Sequence, residues 1–96
     1  MKRDKKALCT YLKKYHVGKE NAIICKDLKR IFRVSEETVR YNVSVLRKDG
    51  IPICSCSFGY YYPETHSDVV ETVSRFNKYL LTLSATNASL LKGKIN

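Results

Sequence analysis

Apolar residues recur at helical spacing in four stretches of this chain and alternate with polar ones in a fifth. That order predicts the architecture. From Asp4 to Tyr15, Leu8, Leu12 and Tyr15 fall at i, i+4 and i+7, while Lys5, Lys6, Lys13 and Lys14 keep to other faces. His16–Ala22 has a glycine and no period, which predicts a loop. In the second helical stretch Leu28, Ile31 and Phe32 share one face, with Cys25 at its N-cap position. In the third, Val39, Val43 and Leu46 again repeat at i, i+4, i+7. After Gly50 the period drops to two. Ile51, Ile53, Ser55 and Ser57 alternate with Pro52, Cys54 and Cys56, Phe58-Gly59 predicts a turn, and Tyr60-Tyr61-Tyr62 returns as a β-favouring run. A lone hairpin is marginal in water, so Ile51, Ile53 and one or two tyrosines are expected to anchor it on the helices. Pro63 ends the strand, Thr65 and Asp68 form a capping-box pattern, and no Gly or Pro interrupts the chain until Gly93. A long last helix is therefore expected. Its Val69, Val73, Phe76, Leu80, Leu83, Asn87 and Leu90 alternate spacings of four and three, the signature of a coiled-coil seam.

The second and third helical stretches are joined only by Arg33-Val34-Ser35. Ser35 stands at the N-cap of the third helix, and Gly50 at its C′ position, where a left-handed residue is usually needed. Two helices joined by so short a turn cannot lie side by side and must cross steeply, as in a helix-turn-helix. The pattern Ile23, Asp27-Leu28, Val34-Ser35-x-x-Thr38-Val39-x-x-x-Val43-x-x-Leu46 and Asp49-Gly50-Ile51-Pro52-Ile53, continued to Tyr62, resembles the winged helix-turn-helix family in its biotin-repressor-type variant. It covers roughly the first two thirds of the chain. The resemblance implies a mostly α, α+β fold: a winged helix-turn-helix with a two-stranded hairpin as wing, to which the long C-terminal helix is added. It further implies that Ile23 and Ile24 form a short strand beside the wing. It implies double-stranded DNA binding, with the third helix in the major groove, in transcription regulation or a phage-type DNA transaction. Residues 1–63 form the expected DNA-binding domain and residues 64–96 the C-terminal helix. Glu36 and Glu37 depart from the basic or small residues common there, so the base contacts are read from this chain's own side chains.

With the Val39/Val43/Leu46 stripe inward, Glu37, Tyr41, Ser44 and Lys48 lie opposite it, flanked by Thr38 and Arg40. Arginine suits guanine bidentately, a carboxylate accepts from cytosine, and hydroxyls reach bases or phosphates. Tyr41 is a large aromatic placed opposite the core, which fits a partner better than a merely solvated face. Glu36 is expected to serve the helix dipole; Glu37 admits either role. Phosphate candidates are Arg33, Arg47, Lys48, Lys29 and Arg30, with Lys2, Arg3, Lys5 and Lys6. Ser35 and Ser57 add hydroxyls at the cap and the wing tip, but the tip carries no cation.

Charge strengthens that picture by its placement. Residues 1–48 hold 14 basic and 5 acidic residues, a net +9, while residues 49–96 are neutral overall. A basic half around a helix-turn-helix is an electrostatic footprint for phosphate. The alternatives from other classes are a protein-interaction module, which the charge asymmetry disfavours, and RNA binding, which only the three tyrosines favour. Ninety-six residues suffice for one modest core. No apolar run approaches a membrane span and no signal peptide is evident, so a cytoplasmic protein is expected. The four cysteines lack zinc spacing and are expected to stay reduced. No Gly-rich phosphate loop or catalytic motif occurs, so neither enzyme activity, a cofactor, a metal nor a small-molecule ligand is expected. The far half of the last helix has little chain left to cover it. A homodimer through Val73, Phe76, Leu80, Leu83, Asn87 and Leu90 is therefore expected.

Overall fold

The computed structural model describes residues 5–93. Helix α1 is Lys5–Tyr15 and a 3-10 turn occupies Lys19–Asn21; α2 is Cys25–Phe32 and α3 is Glu36–Lys48. Strands β1, Cys54–Cys56, and β2, Gly59–Tyr61, precede α4, His66–Lys92. The fold is mostly α with a two-stranded antiparallel hairpin in the wing-like position and a long C-terminal helix. No described helix is long and apolar enough to cross a membrane.

The core forms where α1, α2 and α3 converge. Leu8, Cys9 and Leu12 of α1 meet Leu28 of α2 and the Val39, Val43 and Leu46 stripe of α3, with Ile23 and Ile53 closing it. Two expected faces are turned. Tyr15 is 56% exposed, because the inward direction of α1 is rotated toward Cys9 and Tyr15 lies over Tyr11 at the helix end, ring centroids 5.0 Å apart. Ile31 is 46% exposed, since Leu28 with Phe32 and Cys25 sets the inner face of α2 and Ile31 stands about 100° from it. Cys25 is not the N-cap either. Ile24 caps α2 without a side-chain bond, and the Cys25 thiol donates to the Glu36 carbonyl at 3.7 Å.

The hairpin is held on both faces. β1 and β2 pair Cys54 with Tyr61, Ser55 with Tyr60 and Cys56 with Gly59, so Ser57-Phe58 is the connecting pair and Gly59 opens the return strand. The expected turn at Phe58-Gly59 is thus one residue late. On one side Ile53 joins the helical core, with Ile51, Tyr60 and Tyr62 packed against it. On the other, the first turns of α4 lie on β1, burying Cys54, Tyr61 and Thr72. Burial pushes the Cys54 thiol and the Tyr61 phenol above their ordinary pKa values. Isolated bridges extend the hairpin: Ile23 pairs antiparallel with Tyr60, and Val17 pairs parallel with Tyr62.

Helix α4 begins at Thr65, where the Asp68 carboxylate accepts from the backbone N–H of Glu64 at 2.8 Å and of Thr65 at 3.3 Å. Lys19 ties the 3-10 turn to Glu71 of α4 at 2.7 Å. From Val73 onward every described residue of α4 is exposed, although Phe76 still lies against Arg47. Twenty-seven residues rise about 40 Å, and the radius of gyration, 16.0 Å, exceeds the roughly 12.5 Å of a compact chain of this size.

Gly59 is the tightest point. Its φ is +122°, and a Cβ there would lie 2.1 Å from the carbonyl oxygen of Ile23. Gly59→Ala is expected to destabilise the fold by roughly 2–4 kcal/mol, measured as a lowered urea midpoint. Wild-type stability would mean that the Ile23–Tyr60 pairing is dispensable.

Candidate nucleic-acid interface

The turn that aims α3 is built from backbone rather than glycine. Arg33 ends α2 in the left-handed region, φ 55° and ψ 49°, and its N–H donates to the Lys29 carbonyl. Val34 N–H donates to the same oxygen at 3.2 Å. The chain therefore reverses within three residues, leaving the Arg33 side chain exposed on the turn. Ser35 then caps α3: its Oγ accepts from Thr38 N–H at 3.1 Å and contacts Thr38 Oγ1 at 3.0 Å. Asp49 N–H and Gly50, with φ +89°, close the other end.

Opposite the buried stripe, α3 presents Glu37, Tyr41, Ser44 and Lys48, all exposed, Tyr41 to 54%. Arg40 is exposed on the flank and sits 3.7 Å from Glu36, one turn back. Glu36 and Glu37 occupy the first turn, where carboxylates favour the helix dipole. Thr38 is half-buried and shares the cap with Ser35. The outer surface of α3, with its flanks, thus offers the Tyr41 ring, the Thr38 and Ser44 hydroxyls, the Arg40 and Lys48 cations and the Glu37 carboxylate over about three turns.

The remaining cations are distributed unevenly. Lys5 of α1 is ion-paired with Asp49 at the end of α3, which joins the two helices. Lys6 is exposed on the same helix, as is Lys29 on α2. Arg30 is paired to Asp27 at 2.8 Å. Ser57 is exposed at the hairpin tip beside the exposed ring of Phe58. Lys2 and Arg3 lie outside the described residues.

Arg47 differs from its expected place at a phosphate. Its Nε–H donates to the Ile53 carbonyl at 2.8 Å, and its guanidinium lies 5.0 Å from the Phe76 ring and 5.9 Å from the Tyr60 ring. Burial lowers its pKa from the ordinary arginine value. One residue past Leu46 on α3, it points between hairpin and α4 rather than outward, so it clamps three elements together. No local pattern marks this, because the partner ring comes from a residue 29 positions on. Sequence reasoning also passed over Arg75. It lines, with Arg47, Tyr60, Phe76 and Tyr79, an open groove of about 440 Å³ between the hairpin and α4.

Among the described residues no group of three His, Cys, Asp or Glu side chains is placed to hold a metal ion. Burial raises the pKa of the Cys25 thiol as it does that of Cys54, which disfavours the reactive thiolate.

The clamp can be tested apart from any ligand. Arg47→Ala is expected to lower stability by about 1–3 kcal/mol through loss of the ring contacts and the Ile53 bond. Arg47→Lys should recover only part of this, since an ammonium lacks the planar fork. Equal stability of all three proteins in urea melts would show that Arg47 is not holding the hairpin to α4.

Comparison of the chain with models of known protein families, with curated proteins and with solved structures finds no match.

Proposed function

We propose that this protein binds double-stranded DNA sequence-specifically, with the outer face of α3 in the major groove, and that it acts as a transcriptional regulator or a phage-type DNA-binding factor. The observation that carries the reading is the coincidence of two features. The chain's net charge, +9, resides entirely in residues 1–48. Within that half, α3 turns Tyr41, Ser44, Arg40 and Lys48 outward from a helix whose opposite stripe is buried.

On this reading the side chains divide by role. Arg40 reads a base edge, with Thr38, Ser44 and Tyr41 beside it. Its ion pair with Glu36 is exposed, and such pairs are worth about 0.3–0.5 kcal/mol, so a base edge displaces it readily. Glu37 accepts from a cytosine amino group where one falls opposite. Lys48, Arg33, Lys29 and Lys6 meet phosphates and set the register. Lys5 is a backbone contact only if it leaves Asp49. The hairpin tip, with Ser57 and Phe58 and no cation, lies against the backbone rather than reading the minor groove.

Binding should depend strongly on salt. With about 4 to 6 phosphates neutralised per protomer, log K is expected to fall against log salt with a slope of about −0.9 per phosphate. A titration with no binding at low salt, or a slope near zero, removes the reading. A flat outcome from selection in a random duplex pool would leave only non-specific binding.

Two substitutions separate reading from positioning. Arg40→Ala should cost about 1–3 kcal/mol and relax preference at one base pair, whereas Lys48→Ala should weaken all sequences alike and reduce the salt slope by about one unit. Uniform losses in both, measured against a panel of single-base variants, would place the reading face elsewhere.

A further inference from the structure

The last helix has a socket at one end and a plug at the other. At its base, Val69, Val73 and Phe76 face Pro52 and Ile53 across an apolar groove of about 190 Å³. At its tip, Leu90 and Leu91 are 72% and 88% exposed. Between them run Leu80 and Leu83, both exposed. No charged residue occurs from Tyr79 to Leu91. A solvated helix ordinarily carries charge on its outer faces; thirteen uncharged residues in a row are suited to burial.

We propose that the occupant is a second copy of this chain, paired antiparallel along α4, so that Leu90 of each copy fills the groove at the base of the other's helix. Head-to-tail alignment brings Val73 opposite Leu90, Phe76 opposite Asn87 and Leu80 opposite Leu83. Every apolar seam residue from Val73 on then meets a seam residue of the partner, with Asn87 against Phe76 as the polar layer, repeated once toward each end by the two-fold symmetry. A parallel pair would set tip against tip and leave each groove beside its own hairpin unfilled. Charge selects the same orientation. The described basic residues 5–48 lie at the base of α4, tied to it by Lys19–Glu71 and Arg47–Phe76, and a parallel pair would crowd two +8 regions at one end. In the antiparallel pair the two Thr72 positions, where α4 crosses the hairpin, are about 28 Å apart along the axis at 1.5 Å per residue. That is well beyond the roughly 8 Å over which charges interact in physiological salt. The second copy is also favoured over a foreign partner because the seam flanks offer no charge to select one: Asn77, Tyr79, Ser84 and Thr86 are all neutral.

The proposal does not rest on DNA binding, and none of its tests uses nucleic acid. Sedimentation of the full chain at tens of micromolar is expected to give a dimer; a monomer of 11.1 kDa overturns the proposal. Orientation is read by mixing Val73→Cys chains with Leu90→Cys chains under mild oxidation, with the unmodified protein as the background for its own cysteines. A disulfide between the two variants is expected, whereas a Val73→Cys chain that links to itself efficiently would mean a parallel pair and overturns the assignment. Leu90→Asp with Leu91→Asp alters only exposed side chains, so the helical signal and urea midpoint should hold. Its dimer should dissociate at about tenfold or more higher protein concentration limits than wild type. An unchanged dimerisation constant would remove Leu90 from the interface and the proposal with it.

Discussion

Ile23 and Tyr60 exchange backbone hydrogen bonds in both directions, each at 2.8 Å, and this one pairing fixes how the rest of the chain is assembled. It attaches the hairpin to the residue just before α2, so the hairpin cannot swing away from the helices. It also sets where α2 begins, because Ile24 follows directly as N-cap. The approach is close enough that only a glycine fits beside it, at Gly59. A three-residue strand pair has little stability by itself. Here the Ile23–Tyr60 bridge and the Val17–Tyr62 bridge supply further backbone partners on its second edge. The edge that would otherwise be open to other chains is thereby occupied.

From that attachment the hairpin becomes a layer between two bodies. Ile53 belongs to the core of α1, α2 and α3, whereas Cys54 and Tyr61 belong to the seat of α4. Arg47 crosses between them, donating to the Ile53 carbonyl and stacking on Phe76. A guanidinium serves in this place because its charge can lie over an aromatic ring while its N–H still reaches a carbonyl. On the proposed reading the consequence is functional as well as structural. Withdrawing Arg47 from the surface leaves Arg40 and Lys48 as the exposed cations of α3, which narrows the set of side chains that can address a ligand.

The chain also separates its two kinds of surface. The half with the net charge carries α3 and its turn, while the neutral half carries an uncovered apolar helix. On the proposed readings each surface takes a different partner: a polyanion drawn by field and held by hydrogen bonds, and a second apolar helix held by removal of area from water. The two surfaces are joined at one place, where α4 is seated on β1 through Thr72 and Arg47 of α3 lies against Phe76.

Sequence alone determined the elements whose signals are local. The helical stripe of α3, its Ser35 cap, the left-handed Gly50 and the Asp68 carboxylate at the start of α4 all follow from residues within a few positions of one another. The exposed set Glu37, Tyr41, Ser44 and Lys48 was legible for the same reason, since helical geometry places a face once its opposite is known. Tertiary structure decided whatever depended on distant segments. Tyr15 and Ile31 satisfy the helical period yet lie outside the core, because the neighbours that define the inner face come from other helices. Helix α2 takes Ile24 rather than Cys25 as its cap, directly after the residue that pairs with Tyr60. Arg47 turns away from the expected phosphate face because Ile53 and Phe76 lie within its reach, and Lys5 meets Asp49 on the surface. An arginine or a lysine reads the same in sequence whether it faces solvent or a ring. Only the folded chain brings up the partner that chooses between them.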